Sequence, residues 1–347
     1  MTSPGDAESA FIAACRGRTP SFTPVWFMRQ AGRSLPEYRA LRGPESVLEA
    51  VQDPGLAAEI TMQPVRRYGV DAAVLFSDIM VPIASVGFGV EVAPGIGPII
   101  EHPFRTKNDL DRLRAFEPSQ DTPWTAETIR IVTRELSVPV IGFAGGPFTL
   151  ASYLIEGKPS RDHSRAKSLM YRESRLWHDL VDRLAHLSVA SLRDQVTAGA
   201  SAVQVFDSWV GALSPHDYRT YVLPATRRIF DEVRALGVPM IHFGVGTGEL
   251  LGQFVEAGAD VLGVDWRVPL GEAARRGRGA KALQGHLDPA TCLGPWDVVA
   301  DAARRIMRER PTHVGHIFNL GHGVLPETDP DILSRIVDLV HSESSTR

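Results

Sequence analysis

Eight short apolar, β-branched runs recur along this chain, each ending in glycine or polar residues and most followed by a helical pattern. They are Val25 to Met28, Asp71 to Phe76, Val138 to Phe143, Ala202 to Phe206, Val238 to Phe243, Ala259 to Val264, Lys281 to Gly285 and His313 to Leu320. Continuous apolar runs, rather than strict alternation, belong to parallel strands buried on both faces. Eight of them separated by helices predict an α/β fold, a single closed (β/α)8 barrel. A chain of 347 residues is long for one domain, yet such barrels often reach this length as one unit. No shift in composition marks a second domain. The expected organisation is a flexible N-terminus over residues 1–10, one barrel over 11–340 and a flexible tail over 341–347.

Local signals fit the same grammar. Ser214-Pro215-His216-Asp217 reads as a helix start, with a hydroxyl cap before proline and an acid three positions on. Val222, Ala225, Ile229, Val233 and Leu236 then recur at helical spacing, Pro224 is expected to kink the helix, and Gly237 closes it. Ala-Gly-Ala at 198–200 and 257–259 predicts tight turns into the fourth and sixth strands. Residues 79–137 are the irregular part: Gly87 to Val92 and Gly97 to Ile100 predict a hairpin excursion after the second strand, long enough to flank a cleft.

The first run leads directly into guanidinium groups. Arg29, Arg33, Arg39 and Arg42 crowd one segment, and forked donors at the end of a buried strand suit several carboxylates or phosphates at once. The formal net charge of -4 argues against general attraction to nucleic acid, so polyanion binding must be focal. Arginine supplies 33 of the 37 basic residues, so an arginine on the surface is by itself a weak functional signal. Only Cys15 and Cys292 are present, too few for a disulfide framework or a cysteine-bound cluster, and a reducing compartment fits. The first residues carry acids and no apolar signal core, and no run approaches the length that spans a bilayer; a cytoplasmic protein without a membrane segment is expected.

In such a barrel the chemistry sits at the carboxyl ends of the strands. Those positions are polar here: Arg29 and Arg33, Asp78, Gly145 to Thr149, Asp207 and Ser208, His242, Asp265 and Arg267, His286 and Asp288, and His322. Asp78 is either a helix cap or a functional carboxylate. Asp207 and Asp265 read as caps or partners of nearby arginines, and His242 and His286 as core histidines. His322, between two glycines, lies where backbone can approach a ligand. Tyr153 is expected to start a helix with its ring inward and its hydroxyl able to reach a cleft. Arg39 and Arg42 read as solvated helix charges, whereas Arg29 needs an anionic partner. Gly244 to Gly248 could cradle a phosphate, but without the lysine of a Walker loop. No strand ends in a Schiff-base lysine, no Gly-X-Ser-X-Gly elbow occurs, and no His-X-Cys pair offers a zinc site. Chemistry without a metal or cofactor is expected.

Several segments carry a resemblance to a known family. They are Met-Arg-Gln-Ala-Gly-Arg at 28–33, Leu-Phe-Ser-Asp-Ile at 75–79, Gly-Gly-Pro-Phe-Thr-Leu-Ala-Ser-Tyr at 145–153, Val-Phe-Asp-Ser-Trp at 205–209, Gln-Gly-His-Leu-Asp-Pro at 284–289 and Asn-Leu-Gly-His-Gly-Val at 319–324. Through them the chain resembles the uroporphyrinogen decarboxylase family over nearly its whole length. The resemblance implies a (β/α)8 barrel, a homodimer with facing clefts, no cofactor, and the conversion of four acetate side chains of uroporphyrinogen III to methyl groups. It implies Arg29, Gln30 and Arg33 as carboxylate contacts, Tyr153, Ser208 and His322 as further substrate contacts, and Asp78 as the central aspartate, with Arg29 beside it in catalysis. Ser34 stands where many members have an aromatic residue. Rival readings are a methyltransferase on the same barrel, a tetrapyrrole carrier without turnover, and a phosphate-handling barrel enzyme.

Overall fold

The computed structural model describes residues 8–43, 46–93 and 97–345. Nine strands are present among them: β1 (Ala73–Val74), β2 (Val90–Ala93), β3 (Gly97–Ile100), β4 (Val140–Gly145), β5 (Ala202–Phe206), β6 (Met240–Phe243), β7 (Val261–Gly263), β8 (Ala282–Leu287) and β9 (Gly315–Leu320). Seven of them form one parallel sheet in the order β1, β4, β5, β6, β7, β8, β9, each paired with the next in sequence apart from the intervening β2 and β3. Helices occupy the connections, and apolar side chains are buried on both strand faces, as in β6, where all four residues are inside. Val205 and Val203 face one way and Gln204 the other, and all are fully buried. Among the described residues no helix is long and apolar enough to cross a membrane.

The first run departs from a regular strand. Only Val25 bridges to Phe318, although backbone bonds from Trp26 N to Phe318 O (3.3 Å) and from Phe318 N to Pro24 O (2.8 Å) stitch it to β9. On its other side Asp71 takes the place of a ladder. Its amide donates to Val25 O at 2.8 Å while its Oδ2 accepts from Val25 N at 2.7 Å. A carboxylate here does what a neighbouring carbonyl does in a sheet, so the run is fixed without continuing the ladder. A fully buried polar chain crosses the interior at this level: Trp26 Nε1 donates to Gln284 Oε1 (3.0 Å), and Gln284 Nε2 donates to Gln204 Oε1 (3.0 Å).

Other expectations are corrected in detail. Residues 79–137 contain the antiparallel pair β2 and β3, with Val90 opposite Ile100, but also the outer helix Pro123–Glu135 that packs beside the sheet. Ile100 N bonds Gly157 O and Phe104 N bonds Leu154 O, so the end of β3 and the residues after it lie against the helix Pro147–Glu156. Pro224 does not kink one helix; it opens a second, Leu223–Arg234, after Pro215–Tyr221 ends at Val222, because proline is accommodated in a first turn. Ser214 caps the earlier helix as expected, its hydroxyl accepting from Asp217 N at 3.1 Å. β8 runs on to Leu287, which places His286 within a strand. The C-terminal helix continues to Ser344, and His341, expected to begin a loose tail, bonds Asp71 Oδ2 at 2.7 Å and packs edge-on against Phe22. Of the expected N-terminal segment, residues 1–7 lie outside the described residues, and Ser9 caps the first helix.

Gln284→Ala strands the Trp26 indole N–H in a dry interior, and losing a buried partner costs about 1–3 kcal/mol. Urea unfolding checks this; an unchanged midpoint and slope would show that the buried chain adds nothing to stability.

Candidate active site

Arg29, Asp78 and His322 follow the carboxyl ends of the first run, β1 and β9. Arg29 follows the first run directly with φ 58, in the left-handed region that costs a non-glycine residue roughly 1–2 kcal/mol. The strain is held by its neighbours. Met28 N donates to Asn319 Oδ1 (3.1 Å), Val324 N donates to Met28 O (2.8 Å), and Gly323 lies against the Arg29 side chain. A Cβ on Gly323 would stand 2.4 Å from Arg29 Cδ, so glycine is required for the loop after β9 to reach this close. Gln30 is placed differently from the expectation that its side chain contacts substrate. It is fully buried, Oε1 accepting from Phe27 N (3.0 Å) and Nε2 donating to Ala72 O (3.1 Å), and so ties the first run to β1 instead of facing a cleft.

Asp78, just past β1, is half-buried and accepts from Met80 N through Oδ1 at 2.8 Å. Desolvation pushes its pKa up; the Met80 amide and the Arg29 charge oppose the rise. Tyr153 lies late in the helix Pro147–Glu156 and does not start it, and its ring stacks on Trp209 at 3.9 Å. Burial raises its phenol, Asp78 adds to the rise, and Arg29 opposes it. His322 is half-buried, less open than its flanking glycines suggest, and its Nδ1 accepts from Gly323 N at 2.6 Å. That bond leaves the ring proton on Nε2 as a donor. Desolvation and Arg29 lower its pKa to about 4. Asp78, Tyr153 and His322 each feel the field of Arg29, and Tyr153 that of Asp78 as well.

Arg33 is exposed, and among the described residues no ion pair engages it. Arg39 and Arg42 leave the expected anion cluster: Arg39 Nη1 donates to the carbonyl of Arg33 at 2.5 Å, bracing the turn, and Arg42 donates to the Tyr38 hydroxyl at 2.8 Å. Ser34 is buried behind that turn. Ser208 is partly exposed beside Trp209. Asp265 is buried as a partner of Arg267 (2.7 Å) and also accepts from Gly246 N at 2.5 Å. The glycine loop 244–248 thus already holds one of the chain's own carboxylates, which works against a phosphate there.

Three features escaped the sequence. Phe206 packs edge-on against Phe143 (5.3 Å) and Phe243 (6.1 Å), and Phe243 meets His322 at 6.2 Å, giving an aromatic row along the ends of β4, β5 and β6. Continuous apolar runs hide which residue faces inward. Trp209 emerges as the platform for Tyr153, and Asp207 bonds Thr149 instead of an arginine. Among the described residues no three His, Cys, Asp or Glu side chains converge to hold a metal ion.

The uroporphyrinogen decarboxylase (URO-D) family profile matches residues 6–343. Similar chains include the uroporphyrinogen decarboxylase of Streptomyces coelicolor, 58% identical over 97% of this chain and 95% of its own length. That of Thermobifida fusca is 57% identical over 97% and 94%, and that of Mycolicibacterium smegmatis 55% identical over 96% and 98%. Among solved structures, a methyltransferase from Methanosarcina mazei superposes with TM-score 0.81 over 96% of this chain and 97% of its own, at 18% identity, a likeness of fold alone.

His322 titrates below its unfolded value of 6.5, so its contribution to stability is present above that pH and is lost as pH falls toward 4. Imidazole NMR of the ligand-free protein is expected to find this ring neutral, protonated on Nε2, from pH 8 down to pH 5. A midpoint near 6.5 would show that neither burial nor Arg29 governs it.

Proposed function

The chain belongs to the uroporphyrinogen decarboxylase family, and from that premise we propose how its cleft removes carbon dioxide from the four acetate side chains of uroporphyrinogen III to give coproporphyrinogen III. The enzyme is a carboxy-lyase of haem biosynthesis. The observation that carries the site reading is the convergence of Arg29, Asp78, Tyr153 and His322 at one end of the sheet beside an aromatic row. We read the first run as the eighth stave closing the barrel, with β2 and β3 as an excursion from it, residues 11–340 as the catalytic domain, and two copies pairing with their clefts facing.

The substrate bears eight carboxylates around a ring of four pyrroles. Arg29 and Arg33 meet carboxylates with forked donors. Tyr153 and Ser208 offer hydroxyls, and His322 offers Nε2–H. Gln30 acts indirectly by holding the segment that carries both arginines. Asp78 lies where pyrrole N–H groups converge: Met80 occupies Oδ1 and leaves Oδ2 for the ligand. The phenylalanine row packs against the ring and keeps water out.

Pyrrole is its own electron sink. A proton added to the pyrrole α-carbon next to the carbon bearing the acetate gives a pyrrolium cation conjugated to the acetate-bearing carbon. The bond to the carboxylate then breaks, carbon dioxide leaves, and the electron pair forms an exocyclic double bond that neutralises the ring. A second proton on the exocyclic carbon makes the methyl group, and loss of the first restores aromaticity, so each turnover consumes one proton. The desolvation that makes an ionised Asp78 costly also strengthens its attraction for the pyrrolium, a preorganised effect worth a few kcal/mol or more (about 3–4 for one donor in comparable sites). Arg29 anchors the reacting carboxylate; guanidinium is a poor acid, which favours anchoring over proton delivery.

Anaerobic incubation with freshly reduced uroporphyrinogen III, with products resolved by carboxyl count, is expected to yield stepwise loss from eight carboxyls to four. Binding without carbon dioxide release would favour a carrier instead. Asp78→Asn is expected to keep its melting temperature within a few degrees and lose about 100-fold or more in kcat, and full activity in that variant would remove the electrostatic role. Arg33→Ala is expected to raise KM by about 10- to 100-fold, as losing one charge-assisted contact of about 1.5–3 kcal/mol requires, with kcat nearly unchanged.

A further inference from the structure

The helix that carries Tyr153 begins at Pro147 after Gly146, and no side chain of its own segment caps it. Its first-turn amides need an acceptor from elsewhere. Asp207, from the end of the neighbouring strand β5, supplies one: Oδ1 accepts from Thr149 N at 3.0 Å and from Thr149 Oγ1 at 2.6 Å. Thr149 Oγ1 in turn accepts from Trp209 N at 3.1 Å. One carboxylate oxygen thereby joins the helix start to the turn that bears Ser208 and Trp209. Asp207 is fully buried and cannot touch substrate, and its Oδ2 has no hydrogen-bond partner. Two further contacts make the arrangement tight. Gly146 N donates to Phe206 O at 2.8 Å, and a Cβ at Gly146 would lie 2.3 Å from Asp207 Cγ.

Thr149 and Tyr153 stand four residues apart, on one face of the helix. The face that Thr149 anchors to the Trp209 backbone is therefore the face from which the Tyr153 ring stacks on the Trp209 indole at 3.9 Å. We propose that Asp207 is a positioning residue for the decarboxylation, acting through Thr149 to hold Tyr153 and Ser208 in one fixed relation across the cleft. A carboxylate at a helix N-terminus also meets the positive end of the helix dipole, which favours this placement. Burial is costly for the group all the same: desolvation pushes its pKa up to about 6 against the pull of both Thr149 bonds. A carboxylate retained against that cost has a use that an apolar residue could not serve.

The proposal rests on the decarboxylase reading. Thr149→Val removes the hydroxyl and keeps the volume, and Thr149→Ser restores the hydroxyl. Thr149→Val is expected to lose at least roughly tenfold in kcat, the scale of a misplaced catalytic contact, with KM changed less than threefold because the arginine anchors are untouched. Thr149→Ser is expected to regain most of it, and Asp207→Asn, which keeps an acceptor oxygen, to fall between them. Unchanged kcat in Thr149→Val overturns the proposal, as does a loss that vanishes at a temperature where the variant is fully folded. Near-UV circular dichroism is independent of turnover. The signal lost in a Trp209→Phe reference should also be diminished in Thr149→Val, and its full retention overturns the proposal even were the wild-type chain inactive, an outcome that would separately remove the decarboxylase reading.

Discussion

The site depends on how one short segment is held. Val25 to Met28 lacks the regular ladder of its neighbours, yet its backbone is fastened on both sides: to Phe318 and Asn319 of the last strand, and to Asp71 ahead of the first. Gln30 adds a buried tie to Ala72. These bonds hold the backbone on either side of Arg29, whose φ of 58 lies in the left-handed region, and so fix where its side chain starts above the strands. Under the proposed role, a carboxylate anchor serves the reaction only if it does not yield when the bond to carbon dioxide stretches, and a segment fastened on both sides suits that role.

Charge is scarce around Arg29. Burial keeps His322 neutral near physiological pH, keeps the Tyr153 phenol protonated and works against ionisation of Asp78. The fixed charge common to these three groups is the Arg29 guanidinium, and a positive charge there suits the polycarboxylate substrate proposed above. In that proposal the desolvation that raises the Asp78 pKa also strengthens its attraction for a cation formed beside it.

Much of this was legible beforehand. Seven of the eight runs became parallel strands, within a few residues, because continuous apolar sequence has few other uses in a chain with this spacing. Asp78, Arg29 and His322 stand out in the sequence because polar residues immediately after buried strands are hard to explain by packing, whereas Tyr153 lies within a helix and not at a strand end. What stayed hidden involves direction and pairing. Gln30 looks the same in sequence whether it faces a cleft or bonds a neighbour's carbonyl. Asp207 gives no sign that its partner is a threonine 58 residues earlier. Arg39 and Arg42, crowded beside Arg29 and Arg33, read as solvated helix charges, and nothing in the sequence shows that they engage the Arg33 carbonyl and the Tyr38 hydroxyl.

The hydrogen bond between Met28 and Asn319 joins residues 291 positions apart. The arginine-bearing segment is made among the first residues of the chain, but the strand that fixes it is made among the last. His341, still later, steadies the Asp71 that holds Val25. A nascent chain can therefore fasten one side of this segment early, to Asp71 and Ala72, but the other side only once β9 has been made. A fragment that ends before β9 lacks the Phe318, Asn319 and Val324 contacts that hold the backbone around Arg29.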